Sequence, residues 1–231
     1  MSPEKSLQVV LEDGFVRLDD YMASDLSVVN AARVSFGKRH TELEEGDAEL
    51  INFLMRERHG TPFEHNSFRL HVRAPIFVAR EWFRHRSGWS YNEYSARYSR
   101  MEPEFYVPDV ADVRSQVGKP GSYTFEQMDA DVADSVAETI AETQGHAFRT
   151  YNYLLEIGVA KELARTVLPV GMFTEFYATC NARSMMHFIS LRAHGTAQHE
   201  IRQYAFALEE VLKLAMPVTH RSFQENGRVS P

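Results

Sequence analysis

Arg84-His85-Arg86 sets three cation-capable side chains in a row, and Ser95 and Arg97 follow nine and eleven residues past Arg86. Such a cluster is costly to hold together without an anion, because like charges repel. Arginine's rigid fork matches phosphate oxygens and keeps its charge at any ordinary pH. Trp82, Phe83, Trp89, Tyr91, Tyr94 and Tyr98 are interleaved with the cations, which points to a ligand with both phosphate and flat rings. The plainer alternative is a set of arginine–carboxylate pairs with Glu81 and Glu93. His85, flanked by two arginines, is expected to stay neutral near neutral pH, as a ligand-facing hydrogen-bonding group or as a buried histidine satisfied by backbone.

Other candidates are weaker. Ser95 lacks a Gly-x-Ser-x-Gly elbow and has no base beside it in sequence, so its hydroxyl suits a phosphate oxygen better than a nucleophile's role. Cys180 in Tyr-Ala-Thr-Cys-Asn reads as an inert, buried thiol. Asn181, Arg183, His187 and Arg192 form a second polar group. On a helix Arg183 and His187 share a face and Arg192 points elsewhere, so one helix serves two parts of a site or simply presents a solvated face. The ten histidines include no His-Glu-x-x-His, and the lone cysteine allows no cysteine pair, so no zinc site is expected. No Gly-x-Gly-x-x-Gly or Walker loop appears, and any dinucleotide is held in a non-Rossmann way.

The elements that must position these groups read as follows. Residues 7–18 alternate loosely as a strand or hairpin. Ser24 or Asp25 caps a short helix to Arg33. Residues 47–58 form an amphipathic helix that Gly60 ends. Thr61 to His65 make a polar turn, and Phe68, Leu70 and Val72 alternate as a strand. Pro75 opens a helix to about Phe83, leaving the arginine cluster at its C-terminal end. A short turn or helix is expected over Asn92 to Tyr98, a loop over 108–122 and a long helix over 124–157, with Gly145 a possible interruption. Short helical residues 160–167, a strand at 173–178 and helices at 181–191 and 200–214 follow, ending near Pro217. Without a βαβ rhythm this favours α+β packing, a central mostly antiparallel sheet flanked by helices, in a single domain over residues 1–231.

Composition bounds the partners. The 231 residues are 44% apolar and 25% charged, with net charge −7. The acidic whole disfavours nucleic acid and anionic membrane, while residues 80–100 hold five arginines and a histidine against two glutamates, a local positive field suited to a bounded anion. No uncharged stretch approaches a membrane span. The N-terminal MSPEKSLQVVLEDGF lacks the basic-then-apolar order of a signal peptide. A single cysteine suits a reducing cytoplasm.

Arg-His-Arg, a spacer, then Ser-x-Arg resembles the signature of the flavin-dependent thymidylate synthases. His59 to His65, Ala74 to Phe83, Ala164 to Pro169 and Asn181 to Arg192 resemble that family's neighbouring segments, and the likeness spans most of residues 7–216. It implies reductive methylation of dUMP to dTMP, with FAD as electron carrier, NADPH as reductant and methylenetetrahydrofolate as carbon donor. It also implies an α/β homotetramer with sites assembled from several subunits and no enzyme nucleophile. By position, Thr61, Arg84, His85, Arg86, Glu93, Asn181, Arg183 and His187 fall where the family contacts FAD, and His59 lies nearby. Glu81, Arg84, Glu93, Tyr94, Ser95, Ala96, Arg97, Arg165 and Arg192 fall where it contacts dUMP, and Arg192 falls where it favours the ionised pyrimidine nitrogen 3. The spacer here is eight residues, Ser87 to Tyr94, against a common seven, and Gly88 is placed to absorb the extra one. Glu81 stands where some members carry glutamine, and Thr196 where some carry histidine. The rival readings are another FAD/NADPH oxidoreductase acting on a nucleotide and a single-stranded nucleic-acid-binding module.

Overall fold

The computed structural model describes residues 7–231. Met1 to Ser6, the first part of the N-terminal stretch read above, lie outside it. The chain divides into two units: residues up to Ala74, Val78–Glu93 and Glu175–Pro231 form the first, and Pro75–Phe77 with Tyr94–Thr174 form the second.

The first unit is built on a five-stranded sheet. Its strands are β1 (Leu7–Val10), β2 (Gly14–Met22), β3 (Ser67–Pro75), β4 (Trp89–Glu93) and β7 (Phe173–Asn181), in the order β1-β2-β3-β7-β4. β1–β2, β2–β3 and β4–β7 pair antiparallel. Strict alternation gives the sheet its inner face: Val16 and Leu18, Phe68, Leu70 and Val72, and Phe176, Ala178 and Cys180 are buried. The intervening Arg17, His71, Glu175 and Tyr177 are not. They join one another instead, with Arg17 donating to His71 Nδ1 at 2.7 Å, His71 Nε2 bonded to Glu175 Oε2 at 2.8 Å and Tyr177 stacked on the imidazole.

Helices of this unit are α1 (Asp25–Arg33), α2 (Asp47–Arg56), α3 (Thr61–Glu64), α4 (Ile76–Trp82), α7 (Ala182–Arg192), α8 (His199–Ala215) and α9 (Pro217–Glu225). Trp82, fully buried, knots α4, β7, α7 and α8 together through edge or tilted contacts with Phe176, Phe188 and Tyr204. Tyr204 donates to the Arg73 carbonyl at 2.8 Å, and Gly14 leaves room for it: a Cβ there would lie 2.1 Å from the phenol oxygen. Buried Asp25 caps α9, accepting from the Val218 and Thr219 amides and the Thr219 hydroxyl.

The second unit holds α5 (Ala130–Glu156), α6 (Lys161–Ala164) and a hairpin of β5 (Arg114–Lys119) and β6 (Ser122–Gln127). Pro120-Gly121, with Gly121 at φ +85°, supplies the two-residue turn. Met101, Tyr151, Ala164 and Met172 make its core, with Ile76, Phe105 and Phe148 packed around them.

A mixed architecture with a mostly antiparallel sheet and flanking helices agrees with the sequence reading. Five details do not. Trp89–Glu93 is a strand that takes in Asn92 and Glu93 of the expected short turn or helix, because Ser90 and Asn92 stand in register with β7. Residues 114–119 are a strand rather than loop, and 122–127 pair with them, so the long helix starts at Ala130, capped by the Asp129 side chain. Two glycines do not act as expected: Gly145 does not interrupt α5, and α2 stops at Arg56, ahead of Gly60, which instead precedes α3. Thr61–Glu64 is a helical turn with Pro62 in its first turn. α9 continues beyond Pro217, since proline at a first helical position lacks only an N–H that has no partner there.

Candidate active site

Arg84 to Ser87 follow directly on α4, and backbone bonds from Arg84 to Glu81 and from His85 to Trp82 curl the chain out of the helix. Tyr91, from β4, donates its hydroxyl to the His85 carbonyl at 2.8 Å. Burial lifts that phenol's pKa far above its ordinary value, so it stays a donor. Gly88 then turns the loop at φ +70°, a backbone region that side chains with a Cβ seldom enter. It lies against the start of α7, where Asn181 Oδ1 accepts from the Ser184 amide at 2.8 Å and Ser184 Oγ donates to the Ser87 carbonyl at 3.0 Å. The eight-residue spacer is thus accommodated by a left-handed glycine and a strand seated on β7.

At the other end of α7, Arg192 reaches back. Its Nη1 donates to Glu81 Oε2 at 2.6 Å, its Nη2 to the Glu81 carbonyl at 3.2 Å and its Nε to His85 Nε2 at 3.0 Å. His85 is 8% exposed and its ring lies against Phe188, 4.5 Å between centroids. Burial, then the charge of Arg192 and the neighbouring His187, hold its pKa down to about 4. The imidazole is therefore neutral, as its arginine neighbours suggest, but the cation responsible is Arg192 rather than Arg84 or Arg86. Glu81 is pushed up by burial against the pull of Arg192, with Glu200 adding to the rise. These groups border a cavity of about 510 Å³ lined by Arg84, His85, Arg86, Ser87, Trp89, His187, Leu191 and Arg192. The lining combines three arginines with Trp89, Leu191 and two imidazoles, a set fitted to an anionic ligand with flat rings.

The pairing of the cluster's own arginines with Glu81 is not what forms. Glu81 goes to Arg192, 111 residues away in sequence, and Arg97 pairs with Glu162 at 3.3 Å. Arg183 does not line this cavity. It bonds Glu64 at 2.6 Å and the Pro231 carbonyl at 2.8 Å, and it lies over Gly60, where a Cβ would meet its Nε at 2.5 Å. Thr61 begins α3, His59 packs against Phe53, and Glu93 ends β4. Cys180 is buried on the inner face of the sheet, and burial pushes its thiol well above the ordinary range, so it is no nucleophile.

Tyr94, Ser95, Ala96, Arg97 and Arg165 belong to the second unit. Tyr94 donates to the Arg100 carbonyl, the Ser95 carbonyl accepts the Tyr98 and Ser99 amides, and Ser95 Oγ accepts the Arg97 amide at 3.3 Å. Ala96 packs on the Met101 core, while Lys161 Nζ holds the Tyr98 carbonyl at 2.9 Å. Arg165 opens an exposed 3-10 turn through Val167. Ser87, Ser184, Leu191 and Glu64 are contributors that residue type alone did not single out. Ser184 and Leu191 had a signal in the helical spacing from Asn181 and His187; Glu64 had none.

The chain matches the family model described as thymidylate synthase complementing protein over residues 17–218. It is 46% identical over 228 residues to a flavin-dependent thymidylate synthase of Streptomyces coelicolor, covering 94% of this chain and 93% of that protein. To one of Thermotoga neapolitana it is 47% identical over 214 residues, covering 93% and 92%. Among solved structures it is similar to PolB of Streptomyces cacaoi, a UMP/dUMP methylase bound with 5-Br UMP, with a TM-score of 0.88, 46% identity and coverage of 95% and 97%. The same protein bound with 5-Br dUMP gives 0.87. With the match extending across both units and through every segment that builds the cavity, the chain belongs to the flavin-dependent thymidylate synthase family.

Proposed function

We propose that this enzyme converts dUMP to dTMP by reductive methylation, with methylenetetrahydrofolate as carbon donor and NADPH as reductant. The observation that carries the proposal is the anchored Arg192 bordering a cavity of cationic and aromatic side chains in a chain of this family. Arg84, His85, Arg86 and His187 would hold FAD, with Thr61, Glu93, Asn181 and Arg183 completing its contacts; FAD supplies the hydride. Ser95, Arg97 and Arg165, with Tyr94 and Ala96, would take the nucleotide and its phosphate, and Glu81 the uracil edge. Arg192 stabilises negative charge on the pyrimidine, an electrostatic role requiring a fixed cation in a water-poor pocket. Ser95 acts as a donor and Cys180 is buried, so neither side chain is proposed to attack the ring.

Purified protein should be yellow and should release tritium from dUMP labelled at carbon 5 when NADPH and methylenetetrahydrofolate are present. Absence of release and of dTMP under those complete conditions refutes the proposal. The solved relative described as a UMP/dUMP methylase favours a second reading, in which UMP is also an acceptor. A parallel assay with UMP decides it: turnover within about 100-fold of dUMP, roughly 2.7 kcal/mol, supports dual use.

We also propose that the subunits assemble as a homotetramer in a reducing cytoplasm. Val117, Tyr123 and Phe125 of the hairpin and Val132 of α5 are exposed, which supports association. Light scattering of the holoenzyme gives the stoichiometry, and a monomer overturns the assignment. No helix among the described residues is long and apolar enough to cross a membrane.

A further inference from the structure

Arg192 carries five N–H groups, and three are committed within this unit: Nε–H to His85, one Nη1–H to the Glu81 carboxylate and one Nη2–H to the Glu81 carbonyl. Two remain, one on each terminal nitrogen. The two Glu81 contacts hold the outer nitrogens, and the contact at Nε ties the inner end of the fork, so the guanidinium plane is held at three points. The third acceptor is unusual. Imidazole nitrogen accepts only when unprotonated, and a charged ring would set N–H against N–H at 3.0 Å. His85 is itself fixed by its packing on Phe188 and by the Tyr91 bond to its carbonyl.

We propose that His85 is the positioning residue of Arg192: its bare Nε2 accepts the guanidinium Nε–H and so fixes the orientation in which the two uncommitted N–H groups are offered to the pyrimidine. Its position in the family's flavin-contacting segment would make the same side chain a physical link between cofactor and nucleotide. The inference rests on the electrostatic role assigned to Arg192 above. The charged and titratable groups around the ring are Arg192 and His187 on α7, Glu81 on α4, and Arg84 and Arg86 beside it in the chain. Burial first, then the charge of Arg192, keep the imidazole neutral at working pH, which is the state the bond requires.

The test uses FAD-loaded holoenzyme at saturating flavin. His85→Leu, which has no acceptor, should lower kcat for tritium release about 100-fold, the loss expected of a misplaced reacting group. His85→Gln, whose amide oxygen reaches a comparable place, should recover most of it. The double variant His85→Leu/Arg192→Ala should be no slower than Arg192→Ala alone, because the two residues act as one unit. Independently of any variant's folding, nitrogen-15 NMR of the wild-type protein should show Nε2 of His85 unprotonated at pH 7. The His85 pKa should rise in Arg192→Ala. Multiplying losses in the double variant, no recovery in His85→Gln, or a protonated Nε2 in the wild type overturns the proposal. Full turnover by Arg192→Ala refutes instead the assigned role of Arg192, and so separates the two failures.

Discussion

Substituting Gly88 by alanine tests how the loop after Arg86 is built. Gly88 sits at φ +70°, and an added Cβ would lie 2.2 Å from Ser184 Oγ and 2.9 Å from Asn181 Nδ2. Three costs follow. Holding alanine in the left-handed region costs about 1–2 kcal/mol. Moving the Ser184 hydroxyl breaks its bond to the Ser87 carbonyl, about 1 kcal/mol. Displacing Asn181 weakens the cap of α7 by about 1 kcal/mol. The sum is about 3–4 kcal/mol, which at roughly 2–4 °C per kcal/mol for a chain of this size predicts a Tm about 6–16 °C lower. Thermal unfolding of the FAD-loaded protein, followed by circular dichroism, reads it directly. In a Ser184→Ala background the hydroxyl contact is gone, so the same substitution should cost only about 2–3 kcal/mol, the strain and the Asn181 contact. A loss below about 1 kcal/mol, or an identical loss in both backgrounds, refutes the reasoning.

The remaining expectations concern other parts of the first unit. Cys180, buried with its thiol pushed far up, should resist iodoacetamide in the native protein at pH 7 and react only on unfolding; mass spectrometry of the intact chain decides. Asp47 is buried, which raises its pKa, but the Glu44 amide, Arg33 and His40 overcome this and hold it at about 2 against 3.8 unfolded. Its contribution is therefore complete above pH 3.8 and is lost as pH falls through about 2, so the stability gap between wild type and Asp47→Asn should close over that window in acid-unfolding curves. Glu209, 4% exposed, accepts at Oε1 from His220, Gln224 and Arg228; Glu209→Ala should cost about 3 kcal/mol in urea unfolding, and a loss under about 1 kcal/mol would remove it from the stabilising network. Gly60→Ala should displace Arg183 and weaken FAD retention, measured by flavin fluorescence during dialysis; unchanged retention would show that the Arg183 position is immaterial to the flavin.

What could be read from the sequence was what repeats at a fixed period or carries a rare residue type. The alternation of Phe68, Leu70 and Val72 and the cap at Ser24 are local and appear where they were expected, and the amphipathic run begins at Asp47 as expected but stops at Arg56 rather than at 58. The divergence of Arg183 from Arg192 also followed from helical spacing, and His85 is neutral as expected, although through burial and Arg192 rather than through its flanking arginines. β4 could not be read, because Trp89 to Glu93 owe their extended form to pairing with β7, more than 80 residues on. The hairpin of β5 and β6 hid for the opposite reason: both strands are exposed, so no buried alternation marks them.

The partners of the charges were the least legible part, and here residue proximity in sequence misled. Glu81 and Glu93 lie among the arginines of the motif, and local pairing was the natural alternative to ligand binding. In the fold, the sheet order carries β7 next to β4, and α7 leaves β7 to return along the motif. A guanidinium 111 residues distant thereby displaces the local ones at Glu81. The consequence is functional as well as structural. Arg192 neutralises the one carboxylate that α4 directs to the motif, and Arg84 and Arg86, which line the cavity, are left without that counter-charge. On the proposed function the site holds phosphates and needs such a surplus of positive charge, which the long-range pair at Glu81 preserves.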